Sequence, residues 1–297
     1  MDGGMLWEAH PDLRRPILVA AFAGWNDAGD AATAAADWLV QKSHATRFAS
    51  LDSDEHVDYQ TRRPVVEIVD GVANGITWPL HEYYAAPFTE RDLVVLRGVE
   101  PNIRWKDYCH TVLSVADEMG CAMVVTLGAL LGDVPHTRRI RVTGTATDPS
   151  LIGNLGLVAS RYEGPTGIVG VLHDACREAA VRSVSLWAPV PHYVATPPNP
   201  PATRALLERF ATLADLDLEL SGLGQLADIW RAQVDRAISG NEEVKNYVRG
   251  LEARVDAEDA EEHGVVLGDA DTTEADIPSA DDLADEVERF LREQDGP

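Results

Sequence analysis

Short apolar runs alternate with helix-like stretches along the first two-thirds of the chain. Ile17–Ala23 is almost entirely apolar and follows Pro16, which is typical of a buried parallel strand. Ala31–Gln41 is rich in Ala, and Trp105–Met119 repeats its apolar residues at helical spacing, so both are predicted to be helices. Further strands are predicted at Ala45–Leu51, Val65–Val69, Gly75–Pro79, Asp92–Leu96, Cys121–Leu127, Arg139–Thr145, Ile168–Leu172 and Ser185–Val190. This alternation predicts an α/β domain with a largely parallel sheet.

The pattern changes near residue 197, where prolines interrupt it. Pro189–Pro201 contains six prolines, too many for a central strand or a helix to continue. Asn199 and Pro200 are suited to the N-cap and first position of a new helix. Gly240-Asn241 separates two later helices that carry apolar stripes, so we predict a C-terminal helical hairpin packed on the α/β body.

Three segments follow from these patterns. Residues 1–200 are predicted to be the α/β core, 201–262 a helical extension packed on it, and 263–297 an acidic linker with a terminal amphipathic helix. That last helix would carry one apolar stripe: Leu283, Val287, Phe290 and Leu291. We expect the stripe to dock on the helical hairpin or on a neighbouring subunit.

Charge narrows the classes of partner. The 297 residues include 49 acidic and 25 basic side chains, for a net charge of -24, which argues against nucleic acid and against an anionic membrane surface. Residues 256–297 alone carry a net charge of -14, so more than half of the net negative charge lies in this segment and not in the core. No apolar run is long enough to span a membrane, and three cysteines without CxxC spacing favour reduced thiols, so a cytoplasmic location is expected.

Polar residues follow two of the predicted strands and form the first candidate site. The turn Gly24–Asp30 leaves a buried strand and opens a helix, the place where open α/β sheets bind ligands, and it carries Asn26 and Asp27. Arg97 and Glu100 end another strand and offer a pair for a polar ligand. The simpler interpretations are a tight turn with an Asp N-cap and a surface ion pair.

Histidines and aspartates form a second candidate cluster. Asp133, His136 and His192 lie in loops marked by proline, and His173-Asp174 ends an apolar run. Such residues can form a metal or general-base cluster if the loops converge at one sheet edge. Ordinary loop polar groups, with Asp174 as a helix N-cap, are the favoured interpretation, so we predict no metal and no cofactor.

Other catalytic classes lack their motifs. No GxSxG is present, Cys109 and Cys121 lie in apolar patterns, and three lysines are too few for typical ATP-dependent ligation. The sequence therefore yields no catalytic residues.

Five segments in order along the chain resemble the PAC2 family, the family of proteasome assembly chaperone 2. They are Gly24-Trp25-Asn26-Asp27-Ala28-Gly29, Leu96-Arg97-Gly98-Val99-Glu100-Pro101 with Trp105, Leu127–Thr137, Gly164-Pro165-Thr166-Gly167-Ile168, and Ser185–Tyr193. The long helical and acidic C-terminal part is similar to the actinobacterial branch. The resemblance implies a three-layer α/β/α core similar to nucleoside phosphorylases, usually in an oligomer, and carries no established catalytic set.

The resemblance also implies a function. Eukaryotic and archaeal relatives act as chaperones that hold proteasome α-subunits, and some dock through a C-terminal hydrophobic-Tyr-any tail. This sequence ends in Asp295-Gly296-Pro297, without that tail, which weighs against docking by that route. The leading hypothesis is a non-enzymatic, cytoplasmic assembly-chaperone-like protein that forms a homo-oligomer, with a trimer as the expected number, and binds a protein client.

The alternative hypothesis is a small-molecule protein. A nucleoside or a phosphorylated ligand would then occupy the phosphorylase-like cleft, bound by residues from three loops: Asn26, Asp27, Arg97, Glu100, Asp133 and His136. This hypothesis requires the three loops to meet in one polar pocket, whereas scattered loops favour the scaffold.

Overall fold

A nine-stranded mixed sheet forms the middle layer of the protein in a computed structural model that describes residues 4–154, 157–160 and 162–262. The sheet order is β1-β3-β6-β7-β2-β8-β11-β9-β10, and β4 and β5 form a separate two-stranded sheet. The strands are β1 Met5–Trp7, β2 Ile17–Ala23, β3 Thr46–Leu51, β4 Val65–Val69, β5 Val72–Thr77, β6 His81–Pro87, β7 Asp92–Val99, β8 Val124–Gly132, β9 Thr143–Ala146, β10 Val158–Ala159 and β11 Ser183–Pro191.

The four central strands β7, β2, β8 and β11 run parallel to one another. Antiparallel strands flank them, because β3, β6 and β7 form an antiparallel series on one side and β9 pairs antiparallel with β11 on the other. The carboxyl ends of the parallel strands therefore meet at one edge of the sheet, which we call the carboxyl edge.

Helices cover both faces of the sheet. They are α1 Ala31–Lys42, α2 Trp105–Glu118, α3 Pro149–Asn154, α4 Ile168–Glu178, α5 Pro200–Ala214, α6 Ser221–Ile238 and α7 Glu242–Glu262. Ile17, Val19 and Ala21 of β2 pack in one core cluster with α1 and α5, whereas the alternate residues Leu18 and Ala20 pack in a second cluster with α2 and α4. Alternate side chains of a strand point to opposite faces, so the sequence builds the predicted three-layer α/β/α fold, which is confirmed.

The helical hairpin at the C-terminal side is also confirmed. Asn199 caps α5 by accepting a 3.0 Å hydrogen bond from the backbone N–H of Ala202, and the chain turns between α6 and α7 at Gly240-Asn241. A third core cluster joins α6 and α7 to Tyr193 and Val194, which follow β11. Its helical members are Trp230, Val234, Ile238, Val244, Val248 and Leu251.

One strand prediction is wrong. Ile168–Leu172 is the first part of helix α4, and the buried residues Ile168, Val169, Leu172 and Cys176 recur at helical spacing. An apolar run of five residues fits a buried strand as well as one side of a helix, so its period cannot decide. Asp174 is accordingly no N-cap: the N-cap is Gly167, and Asp174 lies inside α4, 2.6 Å from Nη2 of Arg177.

Other segments also differ from the sequence-based prediction. Arg139–Thr145 contributes only its end to a strand, because β9 covers Thr143–Ala146. The strands β1, β6 and β10 and the short helix α3 were not predicted. The expected terminal helix and its apolar stripe lie outside the described residues.

The hairpin β4–β5, which we call the arm (residues 65–77), pairs with no strand of the main sheet. All residues of both strands are exposed, although the apolar run Val65–Val69 is typical of a buried strand. None of the helices in the described ranges combines the length and apolar character needed to cross a lipid bilayer.

Candidate functional site

Glu100 joins three segments at the carboxyl edge. It follows β7, and its backbone N–H donates a 2.9 Å hydrogen bond to the carbonyl of Ala23, so it lies beside the turn that follows β2. Its Oε1 accepts hydrogen bonds from Nδ2 of Asn26 at 2.6 Å and from the backbone N–H of Ile168 at 2.9 Å, and its Oε2 accepts from the N–H of Trp25 at 3.3 Å. The carboxylate thus fills the positive N-terminal end of α4.

Asn26 is buried against the same helix end. Its backbone carbonyl accepts a 2.8 Å hydrogen bond from Ala129 of β8, which ties the turn after β2 to the neighbouring strand. A Cβ on Gly167 would lie 2.3 Å from Nδ2 of Asn26 and 2.5 Å from Oε1 of Glu100, so only glycine lets the helix start so close. Asn26 and Glu100, two of the six candidate residues, therefore form a packed junction between strand ends and α4.

A shallow cleft of about 420 Å³ opens beside this junction. Arg62 closes one side, where its Nη1 donates a 2.9 Å hydrogen bond to the carbonyl of Ala23, and the indole of Trp25 is 66% exposed. The lining residues are Gly24, Trp25, Thr61, Arg62, Arg63, Glu100 and Asn102. The cleft offers an aromatic face, two guanidinium groups and one carboxylate to a ligand.

Asp27 serves the helix that follows it. Its Oδ1 accepts hydrogen bonds from the backbone N–H groups of Ala32 at 2.7 Å and Thr33 at 3.2 Å, and the Thr33 hydroxyl donates to Oδ2. Burial raises the pKa of this carboxyl, and the hydrogen bonds from Thr33 and Ala32 oppose that rise. Asp27 is thus the cap of α1, whereas Asp30, which directly precedes the helix, makes no capping bond with its side chain.

Arg97 points away from Glu100. Its Nε lies 3.0 Å from Oδ1 of Asp37 on α1, so it belongs to the α1 face of the sheet. Residues 97 and 100 differ by an odd number of positions along the chain, and alternate side chains of a strand face opposite ways. The predicted Arg97–Glu100 pair is therefore absent from the described chain, and the Asp37 partner takes its place.

His136 holds the helical hairpin to the core. The hydroxyl of Tyr193 accepts a 2.9 Å hydrogen bond from the backbone N–H of His136 and lies 2.8 Å from Nδ1, while Nε2 lies 3.0 Å from Oδ1 of Asp235 on α6. If the Tyr193 O–H donates to Nδ1, the neutral imidazole carries its own proton on Nε2. That N–H then donates to the Asp235 carboxylate. Burial lowers the pKa of His136, which favours this neutral form.

Asp133 belongs to the same contact between core and hairpin. Its Oδ1 lies 3.1 Å from Nδ1 of His192, and the Tyr247 hydroxyl of α7 donates to the same oxygen at 3.4 Å. The guanidinium of Arg254, also on α7, donates to the backbone carbonyl of Asp133. Asp133 and His136 thus bind the hairpin, whereas Asn26 and Glu100 bind α4, so the six predicted residues do not share one set of contacts.

The contacts of these candidate residues hold helices to the strand ends. Among the described residues, no group of three or more His, Cys, Asp or Glu side chains is placed to hold a metal ion. Burial raises the pKa of the Cys176 thiol to about 11 and that of Cys109 to about 12, which keeps both protonated near neutral pH. His173 is half-buried inside α4, where its Nδ1 lies 2.7 Å from the Ser183 hydroxyl.

Three residues that shape this region were not among the predicted candidates. Tyr193 and Asp235 complete the His136 contact, and Arg62 closes the cleft. Tyr193 ends one of the five segments that carry the family resemblance, whereas no motif marks Asp235 or Arg62. The exposure of the arm was missed as well. Its signal is visible in retrospect, since Val65–Val69 is flanked by Arg62-Arg63 and Asp70 with no helix predicted nearby to cover it.

The family comparison and the two most similar solved structures described below indicate the same protein family. The profile of the PAC2 family matches residues 21–238. A PAC2 family protein from Streptomyces avermitilis is 47% identical, with a TM-score of 0.73 over 78% of this chain and 99% of that one. A proteasome-assembly chaperone homologue from Mycobacterium tuberculosis is 43% identical, with a TM-score of 0.74 over the same shares.

A more distant structure shares the fold alone. PbaB of Pyrococcus furiosus, an archaeal proteasome activator, is 19% identical, with a TM-score of 0.63 over 78% of this chain and 97% of that one. Among curated protein sequences, none matches this chain.

Proposed function

Because this chain belongs to the PAC2 family, we propose that it is a non-enzymatic protein-binding protein that assists the assembly of a protein complex. It acts in the cytoplasm as a homo-oligomer, and its client is a protein. The proteasome-assembly chaperone homologue at 43% identity supports proteasome subunits as the client class. The family resemblance narrows this class to the α-subunits.

The observation that carries this proposal is the exposed apolar arm. Val65, Ile68 and Val72 are between 64% and 68% exposed on a hairpin that stands off the main sheet. Contiguous exposed apolar surface on a soluble domain typically marks a site of protein contact. The polar candidates support the same conclusion, since Asp27, Glu100 and His136 are already engaged in hydrogen bonds that hold helices in place.

Co-expression with the α-subunits of the host proteasome tests the client. The full chain should co-purify with them and raise the yield of assembled α-rings. The double variant Val65→Ser with Val72→Ser should lower that yield, and Gly71→Asn, in the arm's turn with open space around it, is the matched control. Equal yields of rings with and without the full chain would contradict the proposal.

A second candidate function rests on the cleft beside Glu100. The exposed Trp25 ring and the guanidinium groups of Arg62 and Arg63 are suited to a flat, anionic ligand such as a nucleotide. A thermal-shift screen with nucleosides, nucleotides and divalent metals should then raise the melting temperature, and Trp25→Ala should abolish the rise. No shift with any of these compounds rejects this candidate and leaves the protein-binding proposal intact.

A further inference from the structure

We propose that a groove at the foot of the arm binds an acidic segment of the protein client. The apolar side chains of that segment contact Trp25 and Ile103, and its carboxylates bind Arg62 and Arg63. This inference rests on the proposed protein-binding function and names the chemistry of the partner, which the arm alone does not define.

A hollow of about 610 Å³ forms one half of the groove, a size typical of ligand-binding pockets. Ile103, which precedes α2, is 46% exposed and supplies an apolar wall, and Val57 is a buried member of the lining. The lining residues are Val57, Asp58, Tyr59, Gln60, Arg63 and Ile103. The hollow therefore offers an apolar surface with one guanidinium group on its wall.

Contacts within the chain fix the walls of this hollow. The Tyr59 ring packs edge-on against Trp78, with 5.0 Å between the ring centroids, and its hydroxyl donates a 2.5 Å hydrogen bond to Oδ1 of Asp54. The backbone N–H of Asp58 donates to Oδ1 of Asn102 at 3.0 Å. The hollow is thus pre-formed, which reduces the entropy cost of binding a ligand.

Arg63 joins the hollow to the cleft beside Glu100, because its side chain lines both. Trp25 lines the cleft and Ile103 lines the hollow, so exposed apolar surface lies on each side of the Arg63 guanidinium. The arm starts two residues later, at Val65. A nucleotide needs only the cleft, whereas an extended peptide occupies both halves of the groove.

The carboxylates of the groove are already bound by donors of the same chain. Asp58 accepts at Oδ1 from the backbone N–H of Gln60 at 2.9 Å and at Oδ2 from the Thr61 hydroxyl at 3.2 Å. Glu100 is bound by its three donors at the α4 junction. Both carboxylates are therefore poor acceptors for a basic ligand.

The arginines, by contrast, keep donors for a ligand. Arg62 uses Nη1 for the 2.9 Å bond to the carbonyl of Ala23, which leaves its other N–H groups available. Within the described ranges, neither Arg62 nor Arg63 forms an ion pair. Arg14 and Arg97, in contrast, lie 2.7 Å and 3.0 Å from carboxylates. Guanidinium groups bind carboxylates in a bidentate geometry, so the groove selects an acidic partner.

Fluorescence anisotropy of the full chain with labelled synthetic peptides tests the inference. The probe is a short peptide in which pairs of glutamates are flanked by leucines, and its control has glutamine in place of every glutamate. The probe should bind about tenfold more tightly than the control, and its binding should weaken as salt rises. Equal affinities for the two peptides, or binding that salt leaves unchanged, would overturn the inference.

Two pairs of variants locate the bound peptide. Arg63→Ala should weaken probe binding about tenfold, and Arg63→Lys, which keeps the charge without the planar fork, should weaken it less. Arg182→Ala, exposed at the other end of the parallel strands, is the matched control. Ile103→Ser should weaken binding about fivefold, with Ile229→Ser on the exposed side of α6 as its control. Losses no larger than those of the controls contradict binding in the groove.

Co-purification with proteasome α-subunits separates this inference from the function beneath it. An Arg63→Ala chain that loses both the probe and the subunits supports both. An unmodified chain that retains the subunits and does not bind the probe overturns the groove and keeps the protein-binding function. If the unmodified chain binds the probe through Arg63 and no subunits, the α-subunit client is rejected and the acidic-peptide site stands.

Two further measurements test other occupants of the groove. A full chain in which every Asp and Glu of residues 263–297 is changed to its amide should bind the probe within about twofold of the unmodified chain. Much tighter binding would assign the groove to that acidic segment. Dissociation of an oligomer when the probe is added, followed by sedimentation velocity, would assign it to a second copy. Either result would overturn the client as the occupant.

Discussion

The imidazole of His81 occupies the space that a side chain at residue 98 would need. The two residues are cross-strand partners on β6 and β7, and a Cβ on Gly98 would lie 2.5 Å from Cδ2 of His81 and 3.0 Å from the carbonyl oxygen of Leu80. His81 is fully buried, and its Nε2 lies 2.8 Å from the carbonyl of Val99. The glycine thus allows a buried ring to lie across the sheet beside the strand end that carries Glu100.

Gly98→Ala should lower the free energy of unfolding by about 1–3 kcal/mol, since overpacking of a buried site forces its neighbours to move. Urea unfolding followed by circular dichroism measures the change. Gly222→Ala in α6 is the matched control, because nothing lies within 4 Å of its added Cβ. The control should be neutral or slightly stabilising in its helix. Equal stabilities of Gly98→Ala and the unmodified chain would show that the His81 ring is free to move.

Acid should destabilise the fold through buried histidines. Burial lowers the pKa of His81 to about 4, and burial also lowers the pKa values of His56, His136 and His173. As the pH falls, these histidines are protonated in the unfolded chain at a higher pH than in the folded chain. The free energy of unfolding therefore falls as pH decreases from about 6.5 to about 4. The His81 contribution is about 3 kcal/mol at 1.36 kcal/mol per pKa unit.

The variant His81→Gln isolates that contribution. Its amide nitrogen can still donate to the carbonyl of Val99, but it does not titrate, so the loss of stability between pH 6.5 and 4 should be smaller by about 2–3 kcal/mol. His110→Gln, exposed on α2, controls for the removal of a histidine. Identical pH profiles for His81→Gln and the unmodified chain would contradict this assignment.

Glu100→Ala should destabilise the carboxyl edge by about 2–3 kcal/mol, because it leaves the Asn26 amide and the Ile168 N–H without their acceptor. Glu100→Gln keeps the shape and one acceptor oxygen and should cost about half as much. Glu178→Gln, at the exposed C-terminal end of α4, the helix that begins at Ile168, should have little effect. Chemical denaturation of the three variants measures the differences, and a Glu100→Ala chain as stable as the control would exclude the junction as a stabilising contact.

Arg138→Ala should loosen α7. The Arg138 guanidinium lies 3.0 Å from Glu252 and 2.7 Å from Asp256, and both carboxylates belong to α7. These groups are partly exposed, so the expected loss is at most about 1 kcal/mol and should shrink at high salt. Limited proteolysis should cut α7 sooner in this variant.

Arg204→Ala, whose partner Glu208 lies one turn away in α5, is the matched control for α7. It should leave the cleavage of α7 unchanged. Faster cleavage in both variants would mean that the Arg138 contacts are not specific to the hairpin.

The fold could be predicted wherever a segment was long or strongly periodic. Trp105–Met119 and the helices after Asn199 have clear apolar stripes, and they form α2 and α5 to α7. Ile168–Leu172 could not be assigned, because five apolar residues have no decisive period. The arm has the composition of a buried strand, and only tertiary structure shows that no layer covers it.

The candidate site was predicted in part. The sequence placed Asn26 and Glu100 after two different predicted strands, and the structure shows that these strands are neighbours and that the two side chains are hydrogen-bonded to each other. It also paired Arg97 with Glu100, which strand alternation prevents. Asp133 and His136 bind helices that come about 100 residues later in the chain, a long-range relationship that spacing alone does not reveal.

The ends of the main sheet bear on how this protein avoids aggregation. Its outermost strands, β1 and β10, are only three and two residues long, so they offer little backbone on which a foreign strand can add. The arm, by contrast, exposes two full strands of five and six residues. Among the described residues, the short outer strands of the main sheet thus discourage the addition of a strand from another chain. The exposed strands of the arm are the longer surface to which such a strand can add.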